Sequence, residues 1–136
     1  MNIEEVKRQI ASAAELINAP KNLLPSYDRP RQDAHPYIEV DSLGYHFIIS
    51  ERFIELERRT TNDINDLIYW VLDGITHEMA VRKELKYRKE REDFRRQLFE
   101  IQVDLMEKVS IDYAKRLKKK ISEILNVSPY DDSLYN

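Results

Sequence analysis

The fold is decided by residues 61–80, which read TNDINDLIYWVLDGITHEMA. Apolar side chains recur there at three- and four-residue steps, and Tyr69 and Trp70 widen the stripe until nearly every side is apolar. A helix of this kind is buried on most faces, so we expect it to be the central element. Residues 60–63 supply side-chain oxygens that can cap its start. Gly74 either admits a close neighbour, marks a bend or is merely tolerated.

Three short runs of β-branched and aromatic residues precede this helix and predict an antiparallel meander of three strands. The runs cover residues 37–40, 45–50 and about 53–58. The turns between them are expected at residues 41–44 and at Glu51-Arg52. The third run could equally continue as helix.

An amphipathic helix and an irregular connector open the chain. Residues 2–17 carry an apolar stripe of helical period, and Asn2 with Glu5 fits a capping box at its start. Four prolines then fall within residues 19–36, a density that neither a helix nor a central strand accepts. We interpret this proline-rich connector as either a mobile linker or a binding loop.

The C-terminal half predicts one further long helix. The apolar period is lost in the charged residues 82–96, so a turn between helices is expected near residues 87–91. From Phe94 the stripe resumes and runs to Ile124 without a break, and residues 129–136 form a polar tail. The predicted class is α+β, with an N-terminal helix, the meander and two long antiparallel helices that form a mainly helical core. We expect residues 1–136 to be a single domain.

The composition excludes most kinds of chemistry. The chain has 136 residues, no cysteine and only two glycines, so disulfides, thiolate nucleophiles, cysteine zinc sites and glycine-rich phosphate loops are absent. His77-Glu78 lacks the second histidine of a metalloprotease helix. No run is long and apolar enough to span a membrane, and the first residues are not a secretory signal. We therefore expect a cytoplasmic protein with no catalytic, cofactor-binding or metal-binding residues, and no enzyme.

Charge is segregated along the chain although the net charge is only -3. Residues 61–80 hold four acidic side chains and no basic one, whereas residues 82–96 are rich in lysine and arginine. Such blocks can be parts of binding surfaces, or solvated helix faces. The basic block supports an alternative function, a small nucleic-acid-binding or regulatory module using residues 82–96. The acidic balance of the whole chain argues against a nucleic-acid partner.

Several segments together resemble a known family. They are YHFIISER (45–52), LERRTT (56–61), DLIYWV (66–71), DFRR (93–96) with Phe99 and Gln102, and Ile124-Leu125 with PYDD (129–132). This pattern, which spans residues 37–132, is similar to that of the immunity protein 63 family of bacterial polymorphic toxin systems. The resemblance implies a non-enzymatic cytoplasmic protein that binds and neutralises a cognate toxin.

The partner implied by the resemblance is a toxin domain, with nucleases among the candidates. Because nucleases present basic clefts, acidic side chains are the predicted toxin-binding residues. They are Asp63, Asp66, Asp73, Glu78, Asp104, Glu107, Asp112, Asp131 and Asp132. The residues of the family pattern are themselves expected to have structural roles. Asp93, Arg95 and Arg96 are predicted to form an ion-pair network at the helix turn. The sequence leaves the oligomeric state open.

Overall fold

A computed structural model describes residues 1–27 and 29–135. The chain forms α1 (Ile3–Glu15), β1 (Tyr37–Asp41), β2 (Gly44–Glu51), β3 (Ile54–Thr61), α2 (Ile64–Lys86), α3 (Phe94–Val109) and α4 (Ile111–Val127), with short 3₁₀ turns at Lys21–Leu23 and Asp132–Tyr135. The predicted α+β class is confirmed. Two compact units can be distinguished, Met1–Leu72 and the chain from Asp73 onward, and α2 contributes to both.

Helix α1 begins where the capping box predicts. The Oδ1 atom of Asn2 accepts a hydrogen bond of 2.9 Å from the backbone N–H of Glu5, which satisfies one of the free donors of the first turn. Val6 and Ile10 are fully buried, so the predicted stripe is the core-facing side of the helix.

The three strands form an antiparallel sheet in the order β1-β2-β3. Phe47 in the middle strand pairs with Ile38 and Arg59, and both Phe47 and Ile38 are buried. The uncertain third run is a strand, and it extends to Thr61. Between its pairs with Ile49 and Ser50 the strand carries one extra residue, Leu56, which makes a β-bulge.

The two strand turns are built differently. Gly44 closes the first with φ +128°, and a Cβ there would lie 2.5 Å from the carbonyl oxygen of Thr61, so no other residue fits. Glu51 pairs with Ile54 across the second, whose central residues are thus Arg52 and Phe53. The predicted turn at Glu51-Arg52 is wrong by one residue.

Helix α2 begins at Ile64, directly after residues 60–63, which were expected to cap it. Asp63 is the capping residue, since its Oδ1 accepts from the backbone N–H of Asn65 at 2.9 Å. Thr61 still supports this start from the end of β3, because its hydroxyl donates to Asp66 at 2.8 Å. Around Gly74, no described residue beyond its own helix turn lies within 4 Å of where a Cβ would stand, which excludes close approach as its role.

The proline-rich connector is fixed along the sheet, and this disfavours the mobile-linker interpretation. The Ser26 N–H donates to the carbonyl of Pro36, and the Ile38 N–H donates to the carbonyl of Ser26. Further along, the Ala34 N–H donates to the carbonyl of Ser50 at 2.9 Å. The connector therefore follows the sheet on both sides of Asp28, which lies outside the described residues.

The prediction of one continuous last helix is wrong at Ser110. Its backbone turns to φ -162°, and its hydroxyl accepts from the N–H of Tyr113 at 3.2 Å as the cap of α4. The apolar stripe continues across this break, with Met106 in α3 and Leu117 in α4 both buried. Helices α3 and α4 pack against each other, so the stripe marks the shared core and gives no sign of the interruption.

Candidate functional site

The start of α3 is a closed ion-pair network centred on Asp93, which is only 2% exposed. Its carboxylate accepts from the backbone N–H of Arg95 at 3.0 Å and from Nη2 of the same side chain at 2.9 Å. The hydrogen bond from Arg95 lowers the pKa of Asp93 from 3.8 to about 2, against the opposing effect of burial. The predicted network at this helix turn is therefore present.

The polar tail is part of the same network. The Arg95 guanidinium also donates to the backbone carbonyls of Ser128 and Pro129, each at 3.0 Å. Asp132 accepts from the Asp93 N–H at 2.8 Å and from Arg96 Nε at 3.0 Å. With these bonds the tail is anchored to the α3 terminus, so the charges of this network are used within the chain.

Most of the nine predicted toxin-binding carboxylates have partners in the chain. Asp63 and Asp66 hold the start of α2, and Asp131 accepts from the Ser133 N–H at 3.0 Å. Ion pairs account for further members, namely Asp73 with Lys120 at 2.5 Å, Glu78 with Arg82, Glu107 with Lys118, and Asp132 with Arg96. Asp73 also accepts from Gln102 at 3.0 Å. In the part of the chain that the structure describes, only Asp104 and Asp112 of the nine make neither an ion pair nor a side-chain hydrogen bond.

The basic segment 82–96 is engaged in a similar way. Arg88 makes two bonds of 2.9 Å to Glu84, whose side chain is 2% exposed. Arg82 pairs with Glu78, and Arg95 and Arg96 belong to the network described above. Four of its five arginines are thus paired with carboxylates, whereas Arg91 and the three lysines form no ion pair with any residue that the structure describes. The charge that the segment can offer to phosphates is reduced but not removed.

The histidines make hydrogen bonds within the first unit or face solvent. The His46 ring is 3% exposed, with Nε2 2.7 Å from Asp41 Oδ1 and Nδ1 2.8 Å from Thr60 Oγ1. The hydrogen bond to His46 lowers the pKa of Asp41. His35 Nε2 lies 2.6 Å from the carbonyl oxygen of Leu24, and His77 is exposed. Within residues 1–27 and 29–135, no three histidine, aspartate or glutamate side chains are grouped to hold a metal ion.

An apolar groove of about 660 Å³ lies in the second unit, between the later part of α2 and α3. Met79, Ile101 and Leu105 supply its apolar lining, while charged side chains surround them. Asp104 is one of these, so an exposed carboxylate that makes no ion pair with the described residues lies beside an apolar surface.

The β2–β3 turn is the feature that sequence reasoning missed. Arg52 and Phe53 both have positive φ, 51° and 65°, the backbone of a type I′ turn that normally selects asparagine and glycine. Phe53 is 90% exposed, and Ile54 and Leu56 beside it are 63% and 58% exposed. The sequence could have indicated this unusual turn, because an arginine and a phenylalanine occupy positions where asparagine and glycine are expected.

Strand β3 is exposed over most of its length and forms one edge of the sheet. No described segment pairs with its outer edge. Its charged residues pair locally, as in the contact of Arg58 with Glu55 at 2.8 Å. Arg59 pairs with Glu57 at 3.5 Å and also stacks over Phe47 and Trp70, 4.7 and 5.1 Å from the ring centres. The edge and the turn at its beginning thus form an open surface of the first unit.

Comparison with known proteins gives one match. A family model described as immunity protein 63 matches residues 41–123, which is more than half of the chain and includes β2, β3, α2 and α3. No curated protein and no solved structure matches. No helix in the described part of the chain has the length and apolar character needed to cross a membrane. The match includes every segment that resembles this family except Ile124-Leu125 and residues 129–132, and the chain therefore belongs to the immunity protein 63 family, as an immunity protein.

Proposed function

We propose that this immunity protein acts in the cytoplasm of a bacterium with a polymorphic toxin system and neutralises one cognate toxin by covering its active or substrate-binding surface. The family match over residues 41–123 is the observation that carries the proposal. An inhibitor that works by occlusion needs no chemistry of its own, because buried complementary surface supplies its affinity. No catalytic residue, cofactor or metal is part of the proposal.

The open surfaces of the molecule support this mechanism. The β2–β3 turn with the edge of β3, and the groove beside α3, both lie within the matched residues. The turn presents exposed apolar side chains and the groove half-buried ones, and both have charged neighbours, the composition of the core and rim of a protein interface.

Growth rescue tests the proposal. The toxin domain encoded beside this chain is expressed in a sensitive host with and without the protein, and the pair is co-purified. We expect growth rescue and a stable complex with this toxin. A toxin domain of a different system, expressed with the same protein, is the matched control and should not be neutralised. Full toxicity with both proteins produced and no complex would contradict the proposal.

Occlusion itself has a separate test. The purified toxin is mixed with its substrate, in a form that it cannot turn over, before and after the immunity protein is added. Occlusion predicts that substrate and immunity protein exclude each other. A ternary complex would mean that inhibition acts by another route.

The acidic contacts are part of the same proposal, which is restricted to the two carboxylates that make neither an ion pair nor a side-chain hydrogen bond with the described residues. Asp104 and Asp112 are exposed on α3 and α4 and are the best placed of the nine to face a basic toxin cleft, as on a nuclease. Charge reversal at either site, Asp104→Lys or Asp112→Lys, should slow association several-fold at low salt and less at high salt. Glu123→Lys, the same change at another exposed position of α4, is the control, measured by stopped-flow binding. Equal rates for all three variants and the wild type would exclude the acidic contacts and leave inhibition untouched.

A further inference from the structure

The β2–β3 turn combines backbone strain with an exposed aromatic ring. A residue with a side chain is disfavoured at positive φ, and here two adjacent residues, Arg52 and Phe53, adopt it. The 90% exposed ring contributes no burial that would offset this cost. Folding alone would be served better by asparagine and glycine at these positions. Strain that the fold does not need is typical of functional positions.

The strained turn is also held in place from outside the sheet. Gln32 accepts two hydrogen bonds from the turn. Its backbone carbonyl oxygen accepts from the Arg52 N–H at 3.2 Å, and its side-chain Oε1 accepts from the Phe53 N–H at 2.7 Å. Next to it, Asp33 forms an isolated antiparallel bridge with Glu51. One residue of the proline-rich connector thus fixes both backbone N–H groups of the turn. A ring presented on a fixed backbone loses little conformational freedom when it binds.

We propose that Phe53 is the anchor residue of the toxin interface, and that it inserts into an apolar pocket on the toxin. This inference rests on the proposed function and names the surface that performs it. Buried aromatic and arginine side chains contribute most of the affinity in protein interfaces, and Arg52 stands next to Phe53. Ile54 and Leu56 continue the apolar surface along β3.

The charged residues beside Phe53 indicate which groups the toxin pocket carries. Glu51 and Arg52 are both exposed, and neither makes an ion pair with any residue that the structure describes. The complementary pocket therefore carries a carboxylate to meet Arg52 and a basic group to meet Glu51 at its rim. The bulge at Leu56 interrupts regular pairing along β3, so the occupant engages the turn and does not extend the sheet.

The first test compares two exposed apolar residues at opposite ends of β2. Leu43, in the β1–β2 turn, is 71% exposed, which makes Leu43→Ala a matched control for Phe53→Ala. We expect Phe53→Ala to raise the Kd of the toxin complex at least about 30-fold, and Leu43→Ala to leave it within about twofold, measured by calorimetry with the full chain. Equal Kd values for Phe53→Ala and wild type would overturn the inference.

A second pair of variants separates binding from folding. Arg52→Asn combined with Phe53→Gly supplies the favoured residues of a type I′ turn, so its melting temperature should be at or above that of wild type while toxin binding is lost. Gln32→Ala keeps the ring but removes one support of the turn, and its Kd should rise about 3- to 10-fold. Wild-type affinity in the double variant would contradict the anchor role.

The outcomes distinguish the inference from the proposed function. If the wild-type chain itself forms no complex with the neighbouring toxin, the proposed function fails. If wild type and Phe53→Ala bind equally, only the anchor is wrong. Sedimentation of the free protein tests the remaining alternative, in which the turn binds a second copy of this chain. A dimer that Phe53→Ala dissociates, with toxin binding unchanged, would assign the turn to that contact.

Discussion

Arginine stands beside an aromatic ring both in the β2–β3 turn and at the start of α3, and the two regions use this pair in opposite ways. At α3, Arg96 lies 4.3 Å over the Tyr130 ring, and its guanidinium, like that of Arg95, has carboxylate partners in the chain. At the turn, Phe53 is exposed and Arg52 makes no ion pair with the described residues. The first arrangement completes the fold, whereas the second leaves surface for a partner. A family segment such as DFRR (93–96) can therefore maintain the structure, while Phe53, which lies between two family segments and in neither, remains available to a partner.

The largest loss of stability is expected when Asp93 is removed. Asp93→Ala leaves the Arg95 guanidinium without its main partner and α3 without its cap, so we expect a loss of about 3 kcal/mol in the free energy of unfolding. Asp104 is an exposed carboxylate with no partner among the described residues, so Asp104→Ala should change the free energy of unfolding by less than about 0.5 kcal/mol. Urea unfolding followed by circular dichroism measures both, and equal stabilities would show that the network is not structural.

The same variant tests the prediction of a single domain. Trp70 is the only tryptophan and lies in the first unit, whereas Asp93 lies in the second. One domain requires the fluorescence transition of Trp70 to shift as far as the circular dichroism signal does. A fluorescence transition that stays in place would show two domains that unfold separately.

The stability supplied by the Asp93 network should depend on pH. Because the folded pKa of Asp93 is about 2, below its ordinary value of 3.8, its stabilisation is present above about pH 4 and is lost as the pH falls toward 2. Asp93→Asn keeps an oxygen that can cap the helix but cannot ionise. The stability gap between wild type and Asp93→Asn should therefore narrow between pH 6 and pH 3 in urea unfolding. A gap that is constant over this range would exclude the ion pair as its source.

The smallest expected change in the free energy of unfolding is an increase, and it concerns the β2–β3 turn. Replacing Arg52 with Asn and Phe53 with Gly relieves two positive-φ positions, so the free energy of unfolding should rise by about 1 kcal/mol. Gly44→Ala, at the other turn of β2, should be destabilising because its Cβ would collide with Thr61. If the double variant is less stable than wild type, then Arg52 and Phe53 serve the fold and the contrast between the two regions disappears.

Local patterns were sufficient to predict most of the fold. The Asn2 cap, the three strands and the buried stripe of α2 each depend on neighbours in sequence, and each is present. The break at Ser110 was missed because the apolar period runs through it in register. A serine followed two residues later by Asp112 is nonetheless a cap signal that could have revealed it.

The candidate site could not be predicted in the same way, because it depends on contacts between distant residues. Lys120 neutralises Asp73 from 47 positions away in the sequence. A cluster of acidic residues in the sequence therefore does not reveal which carboxylates remain unpaired in the fold. The strain at Phe53 likewise depends on the strand register, which the bulge at Leu56 shifts by one residue.

Hydrogen exchange of the full chain, alone and bound to its toxin, distinguishes the open turn from the closed network in one experiment. We expect complex formation to slow exchange of the backbone amides of residues 51–57 and to leave those of residues 93–96 and 130–133 unchanged. Protection at the Asp93 network with none at the β2–β3 turn would contradict it, since binding would then use the closed region and not the open one.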